Sequence, residues 1–417
     1  MRIFVASWFY VPVTTSEALV TYKLFSNSRH EYVVCSARSN KWSYNKAADL
    51  TGENIEQHII DTEDFGEFVE KSVEIYRELS KEQKFDAIMT RSLPPESQHV
   101  GFKIKEFDPD VKWIASLADP IGNNPYETYV YFLQHRRRIV RSTYYHAPYF
   151  FLDKVCGILG KKRVTFRLMH DLYQLEQRVV READVIITPN ETQADFIIHD
   201  KAVLAEKSLV VPHSYDSRLY PSVEPTEKDS FVFTFIGHSD ALRSVEPFVR
   251  AVAALRDLNP DLFRKIKVRL IGNIPSNIKD MVYVYFLQDT ISVEGPCDYF
   301  KSLEIMQQSD CLLHVDAWFD HLENGSIFFA AKIADYLGAR KPILGITDPN
   351  CPAGKIITAC GGLCCKAEDP SAVAKLMVSA DEGRACVVEE EAVRYDAKTV
   401  AKNYDDELER RLLKNEK

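Results

Sequence analysis

The sequence predicts two α/β domains, each built on a parallel β-sheet that carries helices on its faces. Short apolar runs rich in β-branched and aromatic residues alternate with segments of helical length along the chain, which is the pattern of repeated βαβ units. The chain has 417 residues, enough for two or three domains of ordinary size. A polar, proline-containing stretch, residues 217–230, separates the runs into two sets, and we expect the interdomain linker there.

The predicted strands fall into one set on each side of that stretch. The first set comprises residues 2–6, 31–36, 86–90, 111–116, 184–188 and 209–212, and the second comprises 231–237, 266–272, 290–295, 311–316, 342–346 and 362–365. The predicted domains are therefore 1–215 and 216–395. The charged segment 399–417 has the pattern of an amphipathic helix, and we expect the chain from about residue 396 to pack back on the first domain.

The composition is that of a globular protein with a modest acidic excess. Hydrophobic residues make up 46% and charged residues 27%, and 61 acids against 52 bases give a net charge of −9. This argues against broad attraction to nucleic acid. The nine cysteines have no spacing that builds a zinc site. Because we find no leader pattern and no apolar run of membrane-spanning length, we expect a cytoplasmic protein, with any membrane contact at the inner face and peripheral.

One segment departs from the overall charge. Residues 134–167 contain nine bases and one acid, Asp153, which gives this segment a charge of +8, and they enclose an aromatic run at 144–151. Bases interleaved with aromatic residues suit an anionic membrane surface. Nucleic acid could use the same surface. The alternative to both is a solvated helix whose aromatic side chains belong to the core. The bases are Arg136, Arg137, Arg138, Arg141, Lys154, Lys161, Lys162, Arg163 and Arg167.

The loop after the strand 231–237 is a candidate phosphate site, since ligands of open parallel sheets bind beyond the carboxyl ends of the strands. The strand ends in Gly237, His238 and Ser239, and Arg243 follows before the next helix. A glycine permits close approach of the backbone, and loop amides with an arginine can hold a diphosphate. The alternative is an ordinary strand-to-helix turn with a surface arginine.

A second candidate is the segment 323–342. Asn324, Gly325 and Ser326 predict the start of a buried helix over 327–337. Lys332 and Asp335 lie one helical turn apart. A cation for phosphate beside a carboxylate for ribose hydroxyls would suit a nucleotide, and the alternative is an intrahelical ion pair.

Five segments, taken in order, resemble the GT-B glycosyltransferases, and specifically the large retaining, family 4-like group that uses nucleotide sugars. They are FTFIGHSDALR at 233–243, KIADYLGARKPILG at 332–345, ADVIITPN at 183–190, LVVPHS at 209–214 and SVEGPCDYFKSLEIM at 292–306. The resemblance spans nearly the whole chain. It implies a GT-B fold, in which two Rossmann-like domains with parallel sheets face each other across a cleft. It also implies a nucleotide-sugar donor in the second domain, an acceptor in the first, and no metal or other cofactor.

The resemblance also implies roles for individual residues. Asp335 takes the place of the carboxylate that binds ribose, while Arg243 and Lys332 would stabilise the departing diphosphate. The sequence departs from the family at two positions, where His238 and Ile327 replace a basic and an acidic residue. The predicted donor-binding residues are Gly237, His238, Ser239, Arg243, Pro296, Asn324, Gly325, Ser326, Lys332 and Asp335.

The first domain offers residues for the acceptor. Polar residues, namely Thr14, Thr15, Ser16 and Glu17, follow the first strand, and Arg91 ends a later one. We expect this set to bind the acceptor; for residues 14–17 the alternative is a helix start with a capping-box pattern. Asp119 resembles the position of a residue near the reacting carbon and is predicted to be catalytic with Arg243 and Lys332. Its alternative is a loop aspartate before a turn proline.

Other chemistry has less support. His314, Asp316 and His321 are of residue types that can bind a metal, but alternation in a buried strand explains the first two equally well. The sequence contains no GxSxG and no Walker A motif. We therefore expect a glycosyltransferase that moves a sugar from a nucleotide sugar, with UDP as the expected nucleotide, to a glycan or lipid-linked acceptor in cell-surface polysaccharide biosynthesis. Two alternatives are a non-catalytic accessory or glycan-binding protein of the same fold and a sugar-nucleotide epimerase.

Overall fold

The computed structural model describes residues 1–38, 50–126, 164–223, 229–366 and 369–413, together with 155, 158 and 159. The chain divides into two compact units, one formed by residues 1–212 with 401–417 and the other by residues 213–400. The break near residue 212 precedes the predicted linker at 217–230. Residues 217–219 of that stretch form a short 3₁₀ helix.

The first unit contains a seven-stranded parallel sheet with the order β3-β2-β1-β4-β5-β6-β7. Its strands are β1 Arg2–Ala6, β2 Glu31–Arg38, β3 Ile55–Asp61, β4 Ala87–Arg91, β5 Lys112–Ser116, β6 Val185–Thr188 and β7 Ser208–Val210. β3 is not among the predicted strands, because its IEQHIID pattern is largely polar. It pairs with β2 on one side and forms the edge of the sheet, where polar side chains carry little burial cost.

Helices cover this sheet, and side chains cap the first turn of several of them. Asp64, Asn190 and Thr15 accept hydrogen bonds from backbone N–H groups of the first turn at the start of α2, α5 and α1 respectively, which satisfies donors that the helix itself leaves unpaired. The helices are α1 Ser16–Phe25, α2 Phe65–Glu82, α3 Gln98–Phe107, α4 Val164–Glu182, α5 Glu191–Ile197 and α6 Lys201–Lys207.

The second unit contains a six-stranded parallel sheet with the order β10-β9-β8-β11-β12-β13. Its strands are β8 Phe231–His238, β9 Ile266–Asn273, β10 Ile291–Glu294, β11 Cys311–Val315, β12 Ile343–Ile346 and β13 Leu363–Cys365. Its helices are α7 Glu246–Leu258, α8 Pro260–Lys265, α9 Ser276–Val284, α10 Tyr299–Gln308, α11 Ala331–Gly338, α12 Pro352–Ala359, α13 Pro370–Asp381 and α14 Glu389–Ala392. The predicted pair of parallel sheets with alternating helices is confirmed.

The helix expected over 327–337 begins later, at Ala331, so that prediction is wrong at its first turn. Ser326 and Ala330 have extended backbone, and the intervening Ile327 and Phe329 are buried in alternation with Phe328. β-Branched and aromatic residues favour this extended, period-two arrangement over a helix. The helix therefore begins one residue before Lys332.

The last helix, α15 Ala397–Leu412, follows the second unit, and its residues from 401 onward belong to the first. Asp405 accepts hydrogen bonds from the Ser28 hydroxyl (2.6 Å) and the Arg29 backbone N–H (2.9 Å). Arg29 forms ion pairs with Asp406 and Glu409. No described helix combines the length and the apolar character needed to cross a bilayer.

Candidate functional site

The strand order of the second unit reverses between β8 and β11, which are direct neighbours. Chain connections leave these two strands toward opposite edges of the sheet, and this opens a crevice beyond their carboxyl ends. Gly237 lies near the end of β8 and His314 near the end of β11. The topology therefore brings the loop after β8, the end of β11 and the start of α11 to one place.

Gly237 leaves space at this crevice. Its φ of +144° is one that other residues rarely adopt. A Cβ atom built there would lie 3.5 Å from Lys332 Nζ and 3.9 Å from a ring carbon of Phe235. On the neighbouring strand, a Cβ at Gly272 would lie only 2.0 Å from the Gly237 carbonyl oxygen. Gly272 thus allows the ends of β8 and β9 to approach closely, and Gly237 places no side chain of its own beside Lys332.

Lys332 is the cation at the centre of the site. Its Nζ lies 4.5 Å from the centroid of the Phe235 ring, a cation–π contact. Burial, reinforced by the positive charge of Arg243, lowers the pKa of Lys332 to about 7, and the carboxylate of Asp316 acts in the opposite direction. The charges that shift its pKa come from Arg243 and Asp316 and not from Asp335, so the intrahelical ion pair considered above does not describe this lysine.

Asp240 shapes the loop that carries Arg243. Its Oδ1 accepts hydrogen bonds from the backbone N–H groups of Leu242 (2.8 Å) and Arg243 (2.9 Å). Its Oδ2 lies 3.7 Å from Arg243 Nη2 and 3.5 Å from His238 Nε2. Sequence reasoning did not assign this aspartate, although aspartate commonly closes such turns onto backbone N–H groups two or three residues on.

His238 and Ser239 differ in what they contact. The His238 side chain is 54% exposed. Ser239 is buried, and its Oγ accepts a hydrogen bond from the Val245 backbone N–H (3.2 Å). Ser239 thus stabilises the start of α7 through this hydrogen bond. Its role in donor binding stays a prediction.

Asp316 lies just beyond β11, and its carboxylate acts on the charge of Lys332. From the sequence, Asp316 was considered only as a metal ligand. It accepts hydrogen bonds from the Ala317 backbone N–H (3.0 Å) and the Thr347 hydroxyl (3.2 Å). Burial raises its pKa above the ordinary range. Within the described residues no group of His, Cys, Asp or Glu is arranged to hold a metal ion.

Asp335 is buried one turn into α11. Its Oδ1 accepts a hydrogen bond from the Tyr299 hydroxyl (3.0 Å), and its backbone carbonyl accepts one from the Tyr220 hydroxyl (2.7 Å). Tyr299 and Tyr220 were not identified from the sequence, because they lie far from Asp335 along the chain. Ribose binding by Asp335 stays a prediction.

The remaining predicted donor residues line two loops. Pro296 is exposed after β10. Asn324 and Gly325 have left-handed backbone, with φ of +57° and +73°, and a Cβ at Gly325 would meet the Trp318 ring at 2.3 Å. Ser326 Oγ accepts a hydrogen bond from the Phe328 backbone N–H (3.3 Å). These residues form a tight turn before the extended stretch that leads to Lys332.

The predicted acceptor residues lie at the carboxyl ends of β1 and β4 in the first unit. Thr15 Oγ1 accepts a hydrogen bond from the Ala18 backbone N–H (3.2 Å) and so caps α1, in which Ser16 is the first residue; Thr14 precedes it and is partly buried. Glu17 and Arg91 form a buried ion pair with each other. The helix-start alternative therefore describes Thr15 directly, and acceptor binding by this set stays a prediction.

Asp119 lies in the loop after β5, and a buried carboxylate holds that loop. Glu176 Oε2 accepts hydrogen bonds from the backbone N–H groups of Ile121 (2.7 Å) and Gly122 (3.0 Å). Burial raises the pKa of Glu176 to about 7. Sequence reasoning missed Glu176, because nothing in the sequence distinguishes it from the other two acids of α4, Asp171 and Glu182.

The predicted membrane segment, 134–167, lies almost entirely outside the described residues. Of its span the structure describes 155, 158, 159 and the backbone of 164–167. Attraction to an anionic membrane therefore stays a prediction from sequence.

The sequence of the chain is similar to curated proteins over only part of its length. No family model matches it. Two curated relatives named D-inositol 3-phosphate glycosyltransferase are similar to part of it. The protein from Stackebrandtia nassauensis is 28% identical over 116 residues, which is 25% of this chain and 26% of that protein. The protein from Actinosynnema mirum is 31% identical over 105 residues, which is 23% of this chain and 25% of that protein. The match thus spans about a quarter of the length of these relatives.

Solved structures match the whole chain at low identity. The sucrose-phosphate synthase of Thermosynechococcus elongatus is similar at a TM-score of 0.64 and 14% identity, covering 100% of both chains. A protein from Listeria monocytogenes assigned as UDP-N-acetylglucosamine 2-epimerase has a TM-score of 0.58 at 11% identity, covering 99% of this chain and 97% of that one. A trehalose-6-phosphate protein from E. coli bound with UDP-2-fluoro glucose has a TM-score of 0.60 at 11% identity, covering 98% and 99%. The expected GT-B fold is confirmed.

Proposed function

We propose that this chain, which has the GT-B fold, is a glycosyltransferase that takes its sugar from a nucleotide-sugar donor bound by the second unit. One observation carries the proposal. Lys332 and Arg243 bring two positive charges to the crevice between β8 and β11, where Gly237 keeps the adjacent space clear. The positive charge of Arg243 disfavours the charged form of Lys332, and a bound diphosphate would relieve that repulsion.

In the proposed reaction, the bond between the anomeric carbon and the diphosphate oxygen breaks, and the acceptor hydroxyl oxygen bonds to that carbon. The hydroxyl proton passes to an oxygen of the departing diphosphate. Negative charge develops on the departing nucleoside diphosphate. Lys332 and Arg243 would stabilise this charge, an electrostatic contribution that is often the largest in such reactions. Asp335 would hold the ribose and Asp119 would lie near the reacting carbon. Retention of configuration is proposed from the family resemblance.

UDP is the proposed nucleotide of the donor. Two proteins of the same fold support this choice, since one is bound to UDP-2-fluoro glucose and another is assigned to UDP-N-acetylglucosamine chemistry. The cationic site itself recognises the diphosphate, which all nucleotide sugars share, so the base must be tested separately.

The proposed acceptor is a glycan or lipid-linked sugar used in cell-surface polysaccharide synthesis. The basic and aromatic composition of residues 134–167 supports work at an anionic membrane surface. The partly matching relatives are named for D-inositol 3-phosphate, which makes a phosphorylated polyol a second acceptor class to test. Binding to vesicles with and without anionic lipid, measured at low salt, would test whether the chain works at an anionic membrane surface. Equal binding to both vesicles would remove the membrane proposal.

The test of the donor proposal is thermal stabilisation by UDP, GDP, ADP and CDP. A ligand at about 100 times its dissociation constant stabilises the folded state by about 2.7 kcal/mol. We expect one diphosphate to stabilise the protein and Arg243→Ala to abolish the effect. Arg250→Ala is the matched control, because Arg250 lies on the exposed face of α7 and pairs with Glu246. If none of the four diphosphates binds, the accessory-protein alternative replaces this proposal.

Sugar-nucleotide epimerisation is the second candidate, and the fold shared with an assigned epimerase favours it as the alternative to test. Incubation with a UDP-sugar in the absence of acceptor, followed by NMR, distinguishes the two. Appearance of an epimeric UDP-sugar would support the epimerase, whereas transfer to an added glycan would support the glycosyltransferase.

A further inference from the structure

His314 is a buried imidazole without an explained partner. It lies in β11 with its residue 1% exposed, and in register it faces Gly345 of β12, which has no side chain. Neither Nδ1 nor Nε2 has a hydrogen-bond partner among the described residues. Buried polar groups are nearly always hydrogen-bonded, and an orphaned one costs free energy. The two unpaired nitrogens of His314 therefore indicate that this side chain binds a ligand or has another function.

The electrostatic surroundings of His314 indicate which ligand would suit it. Its pKa is lowered well below the ordinary value by burial and by the positive charges of Lys332 and Arg243. The carboxylate of Asp316 lies two residues further along the chain and acts on Lys332. Without a ligand, His314 is thus a neutral imidazole beside two cations. An imidazole N–H in this position can donate to an anion, and the arrival of negative charge would favour its protonation.

We propose that His314 is a third diphosphate-binding residue, which donates a hydrogen bond to the donor diphosphate alongside Lys332 and Arg243. This inference rests on the proposed function, because it assigns a further residue to the same site. His314 lies on β11, the strand next to β8, and Gly237 of β8 leaves space at the crevice. The positive charges of Lys332 and Arg243 both act on His314. A diphosphate there would satisfy the orphaned imidazole and neutralise the surrounding positive charge.

A diphosphate bound at this site should change the protonation of Lys332 and His314. The pKa values of Lys332 in α11 and His314 in β11 are both lowered in the unliganded protein, and the positive charge of Arg243 contributes to both shifts. Asp316 opposes the shift at Lys332. Binding of a diphosphate should therefore be accompanied by proton uptake. In the Lys332→Arg variant the lysine contribution is removed, and the part of the remaining uptake that is lost on the further change His314→Gln belongs to His314 rather than to Asp316.

The competing explanation is that His314 only fills space in the core. In that case His314→Leu would change the stability of the protein and leave the preference for diphosphates unchanged. His314→Gln is the conservative partner, since its side-chain amide keeps a hydrogen-bond donor of similar reach.

The test is isothermal titration of the full chain with UDP and uridine, in two buffers of different ionisation enthalpy. We expect His314→Leu to weaken UDP binding roughly tenfold, as expected for one hydrogen bond to a charged group, with uridine binding unchanged and His314→Gln restoring part of the loss. The His314 ¹⁵N resonances of the wild-type chain, assigned by their loss in His314→Leu, should shift on addition of UDP. The His314→Leu variant is needed only to assign these resonances. Their shift on addition of UDP is measured on the wild-type chain.

The outcomes separate the two proposals. If the wild-type chain binds no nucleoside diphosphate, the proposed function fails and this inference fails with it. If the wild type binds UDP while His314→Leu binds it equally well, or if the wild-type imidazole resonances do not move, then His314 is a core residue and only this inference is overturned. A loss of uridine and UDP affinity by the same factor would also overturn it, because the effect would not concern the diphosphate.

Discussion

Arg91 and Glu17 form a buried ion pair in the first unit, with Arg91 Nη2 2.7 Å from Glu17 Oε1. Arg91 Nη1 also donates a hydrogen bond to the Ser116 hydroxyl (2.9 Å). The pair therefore links the start of α1 to the ends of β4 and β5. Burial raises the pKa of Glu17, against the opposing influence of Arg91, so the carboxylate depends on its partner to stay charged.

Removing one member of this pair should destabilise the protein more than removing both. Arg91→Met or Glu17→Leu leaves a buried charge uncompensated, and the expected cost is about 3–5 kcal/mol each. The double variant replaces the pair with apolar side chains and should recover much of that loss. Urea unfolding of the four proteins measures the coupling. Additive losses would contradict this account and would leave the two residues free for the predicted acceptor role.

UDP binding should weaken as the pH rises above neutrality. The pKa of Lys332 is about 7 in the unliganded protein, and a bound diphosphate must raise it. Affinity is then highest below the unliganded pKa and falls by up to about tenfold per pH unit above it. Titrations between about pH 6 and pH 9 test this.

The matched variants for that titration are Lys332→Arg and Lys355→Arg. An arginine stays charged throughout this range, so Lys332→Arg should flatten much of the pH dependence. Lys355 is exposed on α12, and its replacement should leave the wild-type profile unchanged. If UDP affinity of the Lys332→Arg variant still fell steeply with pH, the proton that controls binding would belong to another group.

Gly272→Ala should disrupt the end of the sheet beside the site. A Cβ at this position would lie 2.0 Å from the Gly237 carbonyl oxygen, and the φ of +127° is strained for any other residue. We expect a loss of at least about 1–3 kcal/mol in stability and weaker binding of diphosphates. Gly295→Ala is the control, because a Cβ there meets nothing within 4 Å. Thermal melting with and without UDP compares them, and equal melting temperatures would refute the predicted clash.

Glu176 should make the first unit less stable at high pH. Its pKa is raised to about 7 by burial, against an ordinary value of 4.5. The folded state then holds a proton that the unfolded state releases, so stability is greatest below about pH 4.5 and is lost as the pH rises to about 7. The full effect is on the order of 3 kcal/mol.

Glu176→Gln removes this titration while keeping an oxygen that can accept from Ile121 and Gly122. Relative to the wild type, the variant should be more stable at about pH 8 than at about pH 5. Unfolding in urea at both values measures the difference. A constant difference between the two proteins would show that Glu176 does not titrate in this range.

The periodicity of the sequence predicted the sheets well because buried parallel strands are nearly continuous apolar runs. β1, β8 and β11 were found within one residue of their observed ends. The edge strand β3 was missed, and the start of α11 was predicted four residues too early. Both errors occur where tertiary contacts override local pattern: an edge strand tolerates polar residues, and Ile327 and Phe329 are buried without forming a helix.

The sequence by itself determined the two parallel sheets, the glycine at the end of β8 and the chemistry of Arg243 and Lys332. These features follow from local periodicity and residue type. Only the tertiary structure decided that Glu17 pairs with Arg91, that Tyr299 bonds to Asp335 and that His314 lies beside two cations. These relationships join residues that are distant along the chain, and their charges and pKa values depend on burial, which no single segment of sequence specifies.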